Sequence, residues 1–153
     1  MSLVVVDASV AVKWFLPEEG EALVSQALAL LDAYGKDEVR FVVPDLFYVE
    51  TASAIWKAVR LGRVLRAFGE QALVLLTQRK FPTVPSLKLL DKAFQIATDR
   101  GRTVYDCLYV ALAVHSNAQL ITADERLANS LAAHFPVRWL GGIYLGNEHT
   151  YST

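Results

Sequence analysis

Short, continuously apolar runs alternate along the chain with longer stretches whose apolar residues recur at helical spacing. Leu3 to Val6 is Val-rich with no polar alternation, the pattern of a strand buried on both faces, and it stops at Asp7. From Ser9 a short helical stretch carries Val10, Trp14 and Phe15 as far as Pro17. A helix is expected from about Glu18 to Ala33, closed by Gly35, with Glu18, Glu19 and Glu21 suited to the positive end of its dipole. Arg40 to Val43 reads as a second strand. Pro44-Asp45 opens a helix bearing Leu46, Val49, Ser53, Trp56 and Val59 on one face up to Gly62, and Val64 to Arg79 forms another with the stripe Leu65, Phe68, Ala72, Leu75 and Leu76.

Phe81 to Val84, with Pro82 inside it, fits a short edge strand, where a missing amide donor is tolerated. Ser86 to Thr98 is a helix ending in Asp99-Arg100-Gly101. Thr103 to Ser116 is apolar on more than one side and is expected to be a central, buried helix. A strand (Gln119 to Thr122), a helix (Glu125 to His134) and a last strand (Val137 to Leu140) complete the chain. This alternation implies an α/β fold with a mostly parallel central sheet flanked by helices. Residues 1–145 are expected to form one domain, followed by a polar tail, Gly146 to Thr153.

Composition narrows the function classes. With 153 residues, 54% of them hydrophobic, the chain has enough core for one domain without disulfides or a structural metal. Fifteen basic against sixteen acidic residues exclude a basic tail protein and an acidic disordered chain, and any anion site must be local. Cys107 is the only cysteine, so no intramolecular disulfide forms and a reduced compartment is expected. No apolar run approaches the roughly 18 residues of a spanning helix, and the start lacks a basic signal-peptide region; a soluble, cytoplasmic protein without membrane association is expected.

The chemistry is concentrated in carboxylates. Asp7 and Asp124 follow the first strand and the strand Gln119 to Thr122, and ligands of open α/β sheets bind at such carboxyl ends. Glu50 and Asp106 sit among apolar neighbours on helices, where an acid needs a partner. Few cationic residues lie near the four in sequence. Two carboxylates about 5 Å apart repel by roughly 3 kcal/mol at an effective dielectric of about 20, and several such pairs would rival a domain stability of about 5–15 kcal/mol. Three arrangements are open: the acids lie apart, some are protonated, or a cation sits between them. An all-oxygen set suits Mg²⁺ or Mn²⁺ rather than zinc, and metal-assisted phosphodiester hydrolysis follows from such an ion. The plain alternative is that the acids are helix caps and surface charges.

Four motifs in order, Val4-Val5-Val6-Asp7-Ala8-Ser9, Pro44-Asp45-Leu46-Phe47-Tyr48-Val49-Glu50, Thr103-Val104-Tyr105-Asp106-Cys107-Leu108-Tyr109-Val110-Ala111-Leu112-Ala113 and Leu120-Ile121-Thr122-Ala123-Asp124, resemble the PIN domain. Within it the chain is most similar to the VapC ribonuclease toxins of prokaryotic toxin-antitoxin pairs, from Leu3 to about Leu140. The resemblance implies a three-layer PIN-like fold and a Mg²⁺- or Mn²⁺-dependent endoribonuclease that hydrolyses RNA with metal-activated water. It maps the catalytic acids onto Asp7, Glu50, Asp106 and Asp124, with Asp7 and Asp106 as direct metal ligands and Ser9 and Thr122 as hydrogen-bonding support. It also implies a homodimer and a VapB-like antitoxin partner, with Trp14, Phe15, Leu16 and Trp56 as candidates for either surface. A non-toxin PIN nuclease and a non-catalytic RNA-binding module are the alternatives.

Lys57, Arg60, Arg63 and Arg66 recur every third residue after Glu50, and Arg100 and Arg102 precede the Asp106 helix. Lys57, Arg60, Arg63 and Arg102 are candidate RNA-backbone contacts, or else part of solvated helix faces. His115, His134 and His149 share no metal-ligand spacing, and Asp91 and Asp99 are expected at the surface. A phosphoaspartyl enzyme also places an Asp after a strand. The dehalogenase-type version requires a second Asp where this chain has Ser9, and a receiver-like domain requires an early acidic pair and a late lysine not found here.

Overall fold

The computed structural model describes residues 2–143, so the polar tail and the last two residues of the expected domain lie outside the described residues. Five strands, β1 (Ser2–Val6), β2 (Val39–Pro44), β3 (Thr83–Val84), β4 (Gln119–Thr122) and β5 (Val137–Trp139), form one sheet in the order β3-β2-β1-β4-β5. Every strand pairing in it is parallel. Val4, Val5 and Val6 are all buried although they point alternately to opposite faces, so helices cover the sheet on both sides, as a parallel sheet requires. The topology runs outward from β1 to β3 and then returns to place β4 on the other side of β1. The strand order therefore reverses between β1 and β4, and the carboxyl ends of these two strands flank a crevice.

Among the described residues seven α-helices connect the strands: α1 (Ala8–Ala11), α2 (Val24–Gly35), α3 (Leu46–Arg60), α4 (Arg66–Gln78), α5 (Ser86–Arg100), α6 (Val104–His115) and α7 (Glu125–Leu131). α6 packs on β1, β2 and β4 and is itself covered by α5. Its unbroken buried run from Cys107 to Ala113 explains why its sequence is apolar on every side. α5 ends where Gly101 takes a left-handed conformation at φ +68°, which costs glycine nothing. Among the described residues no helix is long and apolar enough to cross a membrane.

Three expectations are corrected. α2 begins at Val24, not Glu18, and Leu23 before it adopts φ +62°, strained for a bulky side chain. Lys13 is the reason: its ammonium is buried and must be paired, and Glu21 supplies the partner at 2.6 Å while Arg63 holds the other oxygen of Glu21 at 3.0 Å. The acids expected in the first turn of α2 thus lie ahead of it. α3 buries Phe47, Thr51, Ile55 and Ala58 rather than the stripe containing Val49 and Trp56, both of which are exposed. Thr51 enters the core without penalty because its hydroxyl donates to the Phe47 carbonyl at 2.8 Å. On α4 the buried residues are Gly69, Ala72 and Leu76, whereas Leu65, Phe68 and Leu75 remain exposed.

Gly69 lets α4 approach α3, since a Cβ there would stand 2.6 Å from Val59 Cγ2. A β-branched side chain on a helix has one favoured rotamer and yields poorly. Overpacking of about 1–3 kcal/mol therefore outweighs the roughly 1 kcal/mol that Ala gains over Gly in a helix. Gly69→Ala is expected to lose on the order of 1 kcal/mol in urea unfolding; a raised midpoint would contradict this packing.

Candidate active site

The crevice between β1 and β4 is built from helix starts. Asp7 ends β1 and caps α1, accepting from the Ser9 backbone N–H at 2.8 Å and from the Ser9 hydroxyl. The Ser9 oxygen in turn accepts from the Ala123 N–H at 3.0 Å and lies 3.4 Å from the Thr122 hydroxyl, tying the end of β1 to that of β4. Thr122 is fully buried, and its oxygen accepts from the Asp124 N–H at 3.1 Å. Asp124 caps α7 through the Leu127 N–H at 3.1 Å. Asp106 lies in the first turn of α6, where its N–H donates to the cap residue Thr103 at 3.1 Å. Glu50, on α3, accepts from the Tyr109 hydroxyl at 2.7 Å.

Helix capping, the plain alternative, is thus real for Asp7 and Asp124. It occupies one oxygen of each, while an ionised carboxylate offers about four lone-pair sites. The positive ends of three helices make negative charge tolerable here but do not neutralise it.

Asp7 is 7% exposed, and burial raises its carboxyl to about 6 against the hydrogen bonds from Ser9 and Thr122. Burial also raises Glu50 and Asp106; the Asp106 charge adds to the first shift and the Asp124 charge to the second. The ion pairs among the described residues are Lys13–Glu21, Arg63–Glu21, Lys36–Asp32 and Arg66–Glu70, and none reaches these acids. The Asp124 charge thus reaches Asp106 and the Asp106 charge reaches Glu50, while the Tyr109 hydroxyl that bonds Glu50 also feels the charge of Asp7. Among the described residues no three His, Cys, Asp or Glu side chains close into a ready-made metal cage. Mg²⁺ does not require one, since it keeps several waters and uses one or two carboxylates. A set of carboxylate oxygens, partly buried and in no ion pair among the described residues, has the chemistry such an ion takes, although the charge of Arg102 acts on Asp106 and lowers it.

The candidate RNA contacts are placed unevenly. Arg63 bonds Glu21 and the Gly20 carbonyl, and Arg102 bonds Ser130 and the Arg126 carbonyl, so both stitch the fold together. Arg60 lies over the Trp56 ring at 5.5 Å, Arg100 lies over Phe135, and Arg66 pairs with Glu70. Lys57 makes no ion pair or hydrogen bond among the described residues. It shares with Glu50, Ser53, Ala54 and Trp56 a cleft of about 290 Å³, which places one free cation beside an acid of the site. Trp14, Phe15 and Leu16 pack partly on the core and, with Leu65 and Phe68, line a separate apolar cleft of about 390 Å³. Cys107 is buried in the core, while His115, His134, Asp91 and Asp99 are exposed; His149 lies outside the described residues.

Tyr109, the hydrogen-bond donor to Glu50, is not among the residues expected at the site. In an apolar helix it looks like core, and its one signal is its position three residues after Asp106, which puts it on the same face of α6.

Comparison with known proteins agrees with this architecture. The chain is 33% identical over 135 residues to Ribonuclease VapC3 of Pyrobaculum aerophilum, covering 84% of this chain and 95% of that protein. It is 31% identical over 135 residues to Ribonuclease VapC9 of Mycobacterium tuberculosis, covering 88% and 96%. The crystal structure of PAE2754 from Pyrobaculum aerophilum superposes with a TM-score of 0.62 at 27% identity, covering 84% of this chain and 79% of that one. The PIN domain family model matches residues 4–130, a span that runs from β1 into α7 and takes in all four acids, and the chain belongs to the PIN-domain family.

Proposed function

We propose that this protein is a Mg²⁺- or Mn²⁺-dependent endoribonuclease of the VapC toxin type. What supports the proposal is that Asp7, Glu50, Asp106 and Asp124 have no Lys or Arg paired to them among the described residues and that burial pushes the first three upward. Its family and its VapC-named relatives support the substrate class.

Asp7 and Asp106 would hold the ion, which when bound would supply Lewis acidity toward a phosphoryl oxygen and toward water. Ser9 and Thr122 keep the Asp7 carboxylate in one rotamer and lock the two strand ends together. Glu50, with one oxygen committed to Tyr109, keeps the other for orienting the attacking water and accepting its proton. Asp124 is exposed at the crevice rim and completes the negative charge there. Lys57, in the cleft beside Glu50, receives a backbone phosphate of the RNA, and Arg60 stands one turn further along α3. Residues 1–145 are taken as one PIN-like domain of a cytoplasmic protein. It works as a homodimer held inactive by a VapB-like antitoxin, for which the exposed Trp56 and the apolar clefts beside α4 offer contact surface.

RNA binding separates the cations. Lys57→Ala is expected to lower the slope of log K against log salt by about 1. Arg63→Ala is expected to leave that slope unchanged and to lower stability, since its guanidinium bonds Glu21. Filter binding of a labelled single-stranded RNA between about 50 and 200 mM salt reads both. A flat response at Lys57 would remove it from the substrate path.

A further inference from the structure

Tyr109 stands on α6 one turn after Asp106 and is 3% exposed. Its hydroxyl donates to Glu50 Oε1 at 2.7 Å on α3. One hydroxyl thus joins α6, which carries Asp106, to α3, which carries Glu50. Packing does not require it, because a phenylalanine would fill the same core position. The hydroxyl adds a donor toward Glu50. Burial, followed by the charges of Glu50 and Asp7, keeps the phenol protonated well above its ordinary range. A neutral donor is the useful choice here. Lys or Arg at this position would hold Glu50 equally well but would cancel the negative charge that a divalent ion needs.

We propose that Tyr109 is a positioning residue that fixes the Glu50 rotamer and the spacing of α3 and α6 for a divalent cation. This rests on the metal-nuclease reading above. The test is Mn²⁺ titration of chelator-stripped protein by calorimetry, without RNA, for wild type, Tyr109→Phe, Glu50→Ala and the double variant, with Tyr105→Phe on the exposed neighbouring tyrosine as control. Tyr109→Phe is expected to weaken Mn²⁺ binding by about 10- to 100-fold, as loss of a hydrogen bond that orients a metal site typically does. Kcat at limiting Mn²⁺ falls with it, while KM for RNA is unchanged because the hydroxyl is buried. The double variant is expected to bind no more weakly than the weaker single variant, since both remove the same bond. Tyr105→Phe matches wild type. Wild-type Mn²⁺ affinity in Tyr109→Phe overturns the inference, even if that variant melts at a lower temperature, and so do fully additive losses. A wild-type protein that binds no Mn²⁺ overturns the nuclease reading itself.

Discussion

Asp7→Asn and Asp106→Asn are each expected to reduce Mn²⁺-dependent RNA cleavage by at least about 10³-fold while leaving the fold intact. A bound ion contributes several kcal/mol of transition-state stabilisation, and each 1.36 kcal/mol is a factor of ten in rate. Asparagine keeps one carbonyl oxygen, so Asp7→Asn still accepts from the Ser9 N–H and still caps α1. It loses only the charge and one oxygen. The check is cleavage of an end-labelled RNA at saturating Mn²⁺ together with far-ultraviolet circular dichroism. Near-wild-type turnover in either variant would remove these acids from the mechanism.

The second large effect concerns stability and needs no substrate. Burial raises the Asp7 carboxyl from 3.8 to about 6 in the folded chain. The folded state therefore holds the proton more tightly than the unfolded one. The resulting stabilisation is fully present below about pH 4 and is lost as pH rises through about 6, a difference on the order of 3 kcal/mol. Glu50 and Asp106 are raised in the same sense. Glu21 behaves oppositely. Burial would raise it, but its hydrogen bonds to Lys13 and Arg63 prevail and hold it low, so its contribution is lost as pH falls. Comparing wild type with Asp7→Asn isolates the one group. In chelator, urea unfolding at pH 4 and pH 7 is expected to show the variant gaining on wild type by up to about 3 kcal/mol at the higher pH. Added Mg²⁺ is expected to reverse the order, because only wild type binds it. Parallel pH profiles for the two proteins would mean that Asp7 is not desolvated in the folded state.

The legible parts of the sequence were those where one residue type has one physical use. Val4-Val5-Val6 has no polar face and must be covered on both sides, so β1 was readable as a central parallel strand; Gly101 and the apolar run of α6 were readable for similar reasons. The strand-end positions of Asp7 and Asp124 followed from those strands. The face of α3 was not readable, because that helix carries two apolar stripes. Only the tertiary fold selects Phe47, Thr51, Ile55 and Ala58 over the stripe with Val49 and Trp56. The start of α2 was hidden because Glu21 is claimed by Lys13 and Arg63, partners 8 and 42 residues away. Long-range pairing also removed Arg63 and Arg102 from the free basic surface and left Lys57 beside Glu50. Tyr109 escaped notice because periodicity treats a buried tyrosine as an apolar residue, whereas its role lies in one hydroxyl proton and the acid that accepts it.

In the proposed function, carboxylates at the carboxyl ends of β1 and β4 and on α3 and α6 use a divalent ion to cut RNA. The most direct measurement is incubation of chelator-treated wild-type protein with an internally labelled single-stranded RNA, with and without added Mg²⁺ or Mn²⁺. Internal cleavage products that form only with the metal, and not in the Asp106→Asn protein, are the predicted result. Cleavage that persists unchanged in chelator, or RNA left intact at saturating metal, would contradict it.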